Sequence, residues 1–151
     1  MNTLEILKRP VKEYMTTDVI TVLTNSQLEE AKTIFDTNSI HHLPVVDDEN
    51  RLEGIISKTD LLLLMDWGTK YDLTSSKRKN AFLLKSNLAI DLMEENVVTV
   101  GADDTVEKCY DIFKENYFHA IPVVDEDHKL IGLITTYDLL IAAYSQPMAV
   151  K

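Results

Sequence analysis

Ser57-Lys58-Thr59-Asp60 and Thr135-Thr136-Tyr137-Asp138 each set a hydroxyl three positions ahead of a carboxylate. A carboxylate accepts two hydrogen bonds at once, and the free amides of a helix start favour an anion, so such a segment can hold a polar ligand. The same spacing also lets the hydroxyl and the carboxylate satisfy helix amides, as in a capping box. Spacing leaves both uses open. His41 and His119 occupy equivalent positions upstream, with His42 beside the first; a histidine at such a junction serves a ligand or simply faces solvent. The four histidines show no metal-ligand spacing, and no Gly-rich phosphate loop or nucleophile-base pattern is present, so no enzyme and no metal are expected.

The elements that must position these groups come in duplicate. Residues 11–64 and 89–142 align without a gap, with about 19 of roughly 54 positions identical, which marks an internal repeat. A segment of residues 1–10, a connector of 65–88 and a tail of 143–151 lie outside it. Val19-Ile20-Thr21-Val22 and Val97-Val98-Thr99-Val100 have strand composition. Ser26-Gln27-Leu28-Glu29 and Asp104-Thr105-Val106-Glu107 have capping-box spacing, ahead of apolar stripes at Leu28, Ala31, Ile34, Phe35 and at Val106, Cys109, Ile112, Phe113; helices closing at Asn38 and Asn116 follow. Leu43-Pro44-Val45-Val46 and Ile121-Pro122-Val123-Val124, with Pro expected at the strand start, turn back into Gly54-Ile55-Ile56-Ser57 and Gly132-Leu133-Ile134-Thr135 as hairpins. A last helix opens at each Ser/Thr-x-x-Asp. The fold class is mixed α/β: two tandem β-α-β-β-α repeats, packed as a pseudo-twofold pair because about 54 residues bury too little apolar surface alone.

The net charge of −10 argues against duplex nucleic acid and anionic membranes as partners, which need clustered cations. The connector holds the one basic tract, Lys77-Arg78-Lys79, which reads as a solvated linker or as a contact for phosphate or an acidic partner. Cys109 is the only cysteine, which excludes an intramolecular disulfide and suits a reducing cytoplasm. The longest aliphatic run, Leu61 to Met65, is too short to span a bilayer.

The doubled order, with PVVD in the hairpin and Gly-apolar-apolar-[Ser/Thr]-x-x-Asp entering the last helix, resembles the cystathionine-β-synthase (CBS) domain; the tandem resembles a Bateman module. That resemblance implies a regulatory module that binds an adenosine-containing ligand in a cleft between paired copies. It implies phosphate contact for Ser57 and Thr135, and ribose-hydroxyl contact for Asp60 and Asp138, with Lys58, Thr136 and Tyr137 alongside. The adenine is expected against Thr17-Asp18-Val19 with Leu43-Pro44, and against Glu95-Asn96-Val97 with Ile121-Pro122. His41, His42 and His119 are expected to face the phosphates, a neighbour that would favour the charged imidazole.

The leading function is therefore a nucleotide-sensing module taking AMP, ADP or ATP, with S-adenosylmethionine as a further possibility and no obligatory cofactor. It signals through an effector protein or through self-association as a homodimer. The alternative is a ligand-free assembly module whose cleft is filled by its own connector, Trp67 and Tyr71 occupying the base and ribose positions.

Overall fold

The computed structural model describes residues 2–65 and 73–145. In chain order these form α1 (Thr3–Leu7), a 3-10 turn (Val11–Glu13), β1 (Val22–Leu23), α2 (Leu28–Thr37), β2 (His42–Val46), β3 (Leu52–Ser57) and α3 (Lys58–Leu64). There follow α4 (Leu73–Ser86), α5 (Ala89–Leu92), α6 (Val106–Lys114), β4 (Ala120–Val124), β5 (Leu130–Thr135) and α7 (Thr136–Tyr144). The chain divides into two compact units, Ile20–Asn96 and Met1–Val19 with Val97–Lys151. Each repeat thus lends its opening residues to the unit built around the other repeat's hairpin.

In the unit Ile20–Asn96, β1 runs parallel to β2 and β2 antiparallel to β3, in the order β1-β2-β3. Leu28, Ala31 and Phe35 put one stripe of α2 against the sheet residues Val22, Leu43, Val45 and Ile56, and Leu61 of α3 closes the same core. This is the burial expected of a 3.6-residue period. Helix α4, in the stretch read from sequence as a linker, adds Leu84 to this core and packs on α2. The chain then returns along the unit: Leu28 N donates to Asn87 O (2.9 Å) and Ala89 N to Ser26 O (2.7 Å). Glu94 exchanges both main-chain bonds with Ile55 of β3, at 2.8 and 3.1 Å.

The other unit repeats the plan with the opposite ends of the chain. β4 and β5 form the hairpin, Val100 makes one parallel bridge to Val123, and Thr16 exchanges main-chain bonds with Leu133 at 2.9 and 3.0 Å. Val11, Val100, Cys109, Ile121, Val123 and Ile134 make its core, and Ile6 of α1 joins Val106 and Ala142 in a smaller one.

Several expectations change at this level. The β-branched runs at 19–22 and 97–100 yield only the two-residue β1 and the single bridge at Val100. Val19 ends one unit and Ile20 begins the other, so the run 19–22 is divided between units and cannot lay a full ladder in one sheet. Pro44 and Pro122 lie within their strands, opposite Ile55 and Leu133. Because Ile55 and Leu133 direct their own N–H and C=O to Glu94 and Thr16, the proline pairs are the non-bonded pairs of the ladder, and the missing amide breaks nothing. The helix caps fall one residue late, at Gln27 and Thr105. Asn116 is left-handed (φ 62°) as expected, whereas Asn38 is extended and its side-chain amide instead donates to Ile34 O at 2.9 Å.

Candidate functional site

The antiparallel register sets each hydroxyl beside the residue that opens the hairpin. His42 lies opposite Ser57, and Ala120 opposite Thr135. The main chain closes the same corner: Lys58 N donates to His41 O (2.8 Å) and Thr136 N to His119 O (3.1 Å). Strand end, histidine and helix start are therefore one rigid corner in each unit.

The two corners differ in how they use their carboxylates. Thr135 Oγ1 accepts from Asp138 N at 3.1 Å, and Asp138 Oδ2 accepts from Thr135 N at 2.9 Å, a reciprocal capping box. Ser57 Oγ accepts from Asp60 N at 3.0 Å, but the Asp60 carboxylate accepts no hydrogen bond among the described residues and is exposed. Asp60 has both oxygens available to a ligand, whereas half-buried Asp138 has one engaged. Both helix starts combine a capping hydroxyl with the positive end of the helix dipole, a setting that favours an anion.

Around these corners the exposed residues are few and specific. His41, Thr17, Asp18, Glu95, Asn96, Thr136 and Tyr137 are exposed, while His42, Lys58, Val19 and Val97 are half-buried. His119 is exposed and its Nε2 lies 3.2 Å from Asn116 Oδ1. Leu43 and Ile121 are fully buried, and Pro44 and Pro122 are buried beside them. Leu43 and Ile121 belong to the cores, so what these two positions offer a planar ring is main chain. Trp67 and Tyr71, the expected cleft residues of the connector, lie outside the described residues.

The expected partnering of segments is crossed. Thr17-Asp18-Val19 follows Thr16 on β5 and so belongs with Ile121, Pro122, Thr135 and Asp138, not with Leu43 and Pro44. Glu95 and Asn96 follow Glu94 on β3 and belong with Leu43, Pro44, Ser57 and Asp60, while Val97 falls in the other unit. A gapless repeat gives no sign of this exchange, because aligned positions look alike whichever hairpin they pack on. Met15 and Met93 are aligned identities, as are Gly54 and Gly132; the methionine of each repeat packs on the glycine of the other, a choice that identity alone does not direct.

A depression of about 680 Å³ lies at the turn end of the β4–β5 hairpin, lined by Val100, Asp103, Asp104, Asp125, Asp127 and Ile131 among others. None of the expected ligand residues lines it. Its acids serve the fold: Asp125 Oδ1 accepts from Asp127 N and Lys129 N, both at 2.9 Å, and Asp104 Oδ2 accepts from Gly101 N at 2.7 Å and from Lys108. The Gly101 amide, more than the Lys108 ammonium, holds the Asp104 carboxyl below the usual carboxylate range. Among the described residues no group of acids, histidines and cysteine could hold a metal ion, and no helix is long and apolar enough to cross a membrane.

Comparison with known proteins agrees with this architecture. The chain is 33% identical over 124 residues to a homoserine O-acetyltransferase of Methanosalsum zhilinae, an alignment covering 82% of this chain and 22% of that enzyme. The chain spans under half the length of the first curated relatives it matches. The crystal structure of CBSX2 from Arabidopsis thaliana in complex with AMP matches with a TM-score of 0.74 and 27% identity, over 91% of this chain and 97% of that one. The CBS domain pair of protein MJ0100, in complex with 5′-methylthioadenosine and S-adenosyl-L-methionine, matches with a TM-score of 0.67 and 25% identity, over 88% and 94%. The CBS domain model matches residues 11–66 and again 89–145, and with the doubled hairpin-and-helix corner this places the chain in the CBS domain family, as a tandem pair.

Proposed function

We propose that this chain is a nucleotide-sensing regulatory module that takes an adenosine-containing ligand, AMP, ADP or ATP ahead of S-adenosylmethionine, at its Ser/Thr-x-x-Asp corners. The observation that carries the reading is Asp60: a carboxylate at a helix start, exposed and without an acceptor role in its own cap. A ribose cis-diol offers two donors to such a group, and the Ser57 hydroxyl at the positive end of the helix dipole suits phosphate. The corner of Ser57 and Asp60, with Lys58, His41, His42, Glu95 and Asn96 near it, is the stronger site. The corner of Thr135 and Asp138, with Thr17, Asp18, Val19, His119, Thr136 and Tyr137, is the weaker one because its cap competes for the carboxylate.

Support comes also from relatives of like fold, CBSX2 with AMP and MJ0100 with two adenosine compounds. The experiment is a thermal shift with AMP and with 2′,3′-dideoxyadenosine monophosphate, since a ligand of the folded form raises its apparent stability. AMP raises the melting temperature and the dideoxy analogue raises it much less; equal shifts would remove the diol from the reading.

An assembly role is favoured by a separate observation. Tyr137, Leu140, Ile141 and Tyr144, spaced three, four and seven positions along α7, are exposed by 67, 54, 46 and 81%. An apolar stripe of this kind is a contact surface, and a homodimer through α7 is the form we assign to it. Signalling then passes by self-association or by an effector protein.

A further inference from the structure

Helix α4 carries a basic face in an acidic protein. Ser76, Asn80 and Leu84, four positions apart, are buried at 2, 9 and 9%, which fixes the side of the helix turned to the unit. Arg78, Phe82 and Lys85, three and four positions apart, then fall together on the solvent side, with Lys77 and Ala81 on the adjoining flank; all are exposed, Phe82 by 73%. The helix contains no acid, and among the described residues no carboxylate pairs with Lys77, Arg78 or Lys85. Two cations, Arg78 and Lys85, thus neighbour one aromatic ring, with Lys77 on the adjoining flank, over the nine residues from Lys77 to Lys85, about 12 Å of helix.

We infer that this face docks an acidic segment of a partner protein, with an apolar side chain seated on Phe82 and carboxylates on Lys77, Arg78 and Lys85. Charge complementarity selects the sign of the occupant, and range selects its kind. Screening confines the attraction to about 8 Å at physiological ionic strength. A peptide as short as the stripe meets only these cations, whereas a duplex or a membrane surface also faces the rest of a chain of net charge −10. The exposed ring gives such a peptide an apolar anchor that a phosphate backbone does not use. Leu84, on the reverse of the same helix, shares its core with Leu61 of the helix that begins at Ser57 and Asp60, so the face rests on the structure that forms one corner.

The test uses the full chain without nucleotide, so its failure is distinct from failure of the adenosine reading. The probe is a fluorescein-labelled, glutamate-rich peptide with two central leucines, about ten residues long to match the stripe, followed by anisotropy. Saturable binding is expected, weakening steeply with added salt, at least tenfold weaker for a Lys77→Gln, Arg78→Gln, Lys85→Gln variant and several-fold weaker for Phe82→Ser. These side chains are exposed, so the variants should melt as the parent does, and circular dichroism verifies that they remain folded. Absence of saturable binding to the parent overturns the proposal, as does binding that these variants leave unchanged. So does tighter binding, through the same residues, of phosphatidylserine vesicles or duplex DNA.

Discussion

Met93 lies directly against the bare α-carbon of Gly54: a β-carbon there would stand 2.8 Å from Met93 Sδ and 2.8 Å from the Glu94 carbonyl oxygen. Met15 makes the equivalent contact with Gly132 in the other unit. Each glycine admits the segment that arrives from the other repeat. Gly54→Ala should therefore destabilise the protein by about 1–3 kcal/mol through overpacking, with Glu94 O the harder neighbour to move. Urea unfolding measures this, and Met93→Ala in the Gly54→Ala background should recover part of the loss. A wild-type midpoint for Gly54→Ala would mean that the segment rides over the glycine loosely.

Asp60→Asn and Asp138→Asn should separate binding from capping. Asp138 accepts the Thr135 amide, and Asn also caps, so Asp138→Asn costs no more than about 1 kcal/mol; Asp60→Asn should leave the melting temperature of the ligand-free protein unchanged. Both should weaken adenosine-nucleotide binding, by roughly 1.5–3 kcal/mol where a charge-assisted bond is lost, with the larger effect at Asp60. Calorimetric titration gives the affinities, and undiminished affinity in both variants would assign the two segments to capping alone.

Acid should loosen the Gly101–Asp104 turn. The folded state lowers the Asp104 pKa, chiefly through the Gly101 amide and then through Lys108. A depressed carboxyl contributes stability above its unfolded pKa and loses that contribution as pH falls through the lower, folded value. Asp104→Asn should accordingly flatten the fall in melting temperature below about pH 4, the ordinary carboxylate range, and leave its slope near neutrality unaltered. Parallel acid limbs for parent and variant would contradict the assignment.

Cys109 is fully buried, and burial pushes its thiol up to about 11. At neutral pH it should be inert to Ellman's reagent in the folded protein and react at once in denaturant, since the thiolate is the nucleophile. Prompt reaction without denaturant would show that α6 opens readily.

Light scattering should give twice the chain mass, and Leu140→Asp on α7 should give a monomer of unchanged fold. A dimer indifferent to that change would put the contact elsewhere.

The sequence carried the hairpins, α2, α6 and both helix starts, because each rests on local chemistry: apolar period, a β-branched run, a polar turn, a hydroxyl three residues from a carboxylate. Lost to it were the features set by distant partners. Nothing local in Thr17-Asp18-Val19 reveals that Thr16 pairs with Leu133 instead of with the first hairpin. Pro44 invited placement at a strand end, and only the Glu94 bonds to Ile55 explain its position within β2. The difference between Asp60 and Asp138 was equally hidden, since a hydroxyl and a carboxylate at the same spacing settle into one open cap and one closed box. Helix α4 was obscured by its charge run, which reads as solvated linker until Leu84 is seen in the core.

The exchange of opening segments also orders the birth of the molecule. On a ribosome, everything that completes the unit Ile20–Asn96 emerges in one continuous stretch, whereas Val11 waits for Asp104 and Thr16 for Leu133 of β5 before they find their partners. Closing that loop late carries the entropy of the long segment between Thr16 and Leu133, the kind of non-local pairing that slows folding. The stretch 20–96 can therefore close on itself while Thr16 is still unpaired, and the synthesis of β5 decides when that strand bond forms.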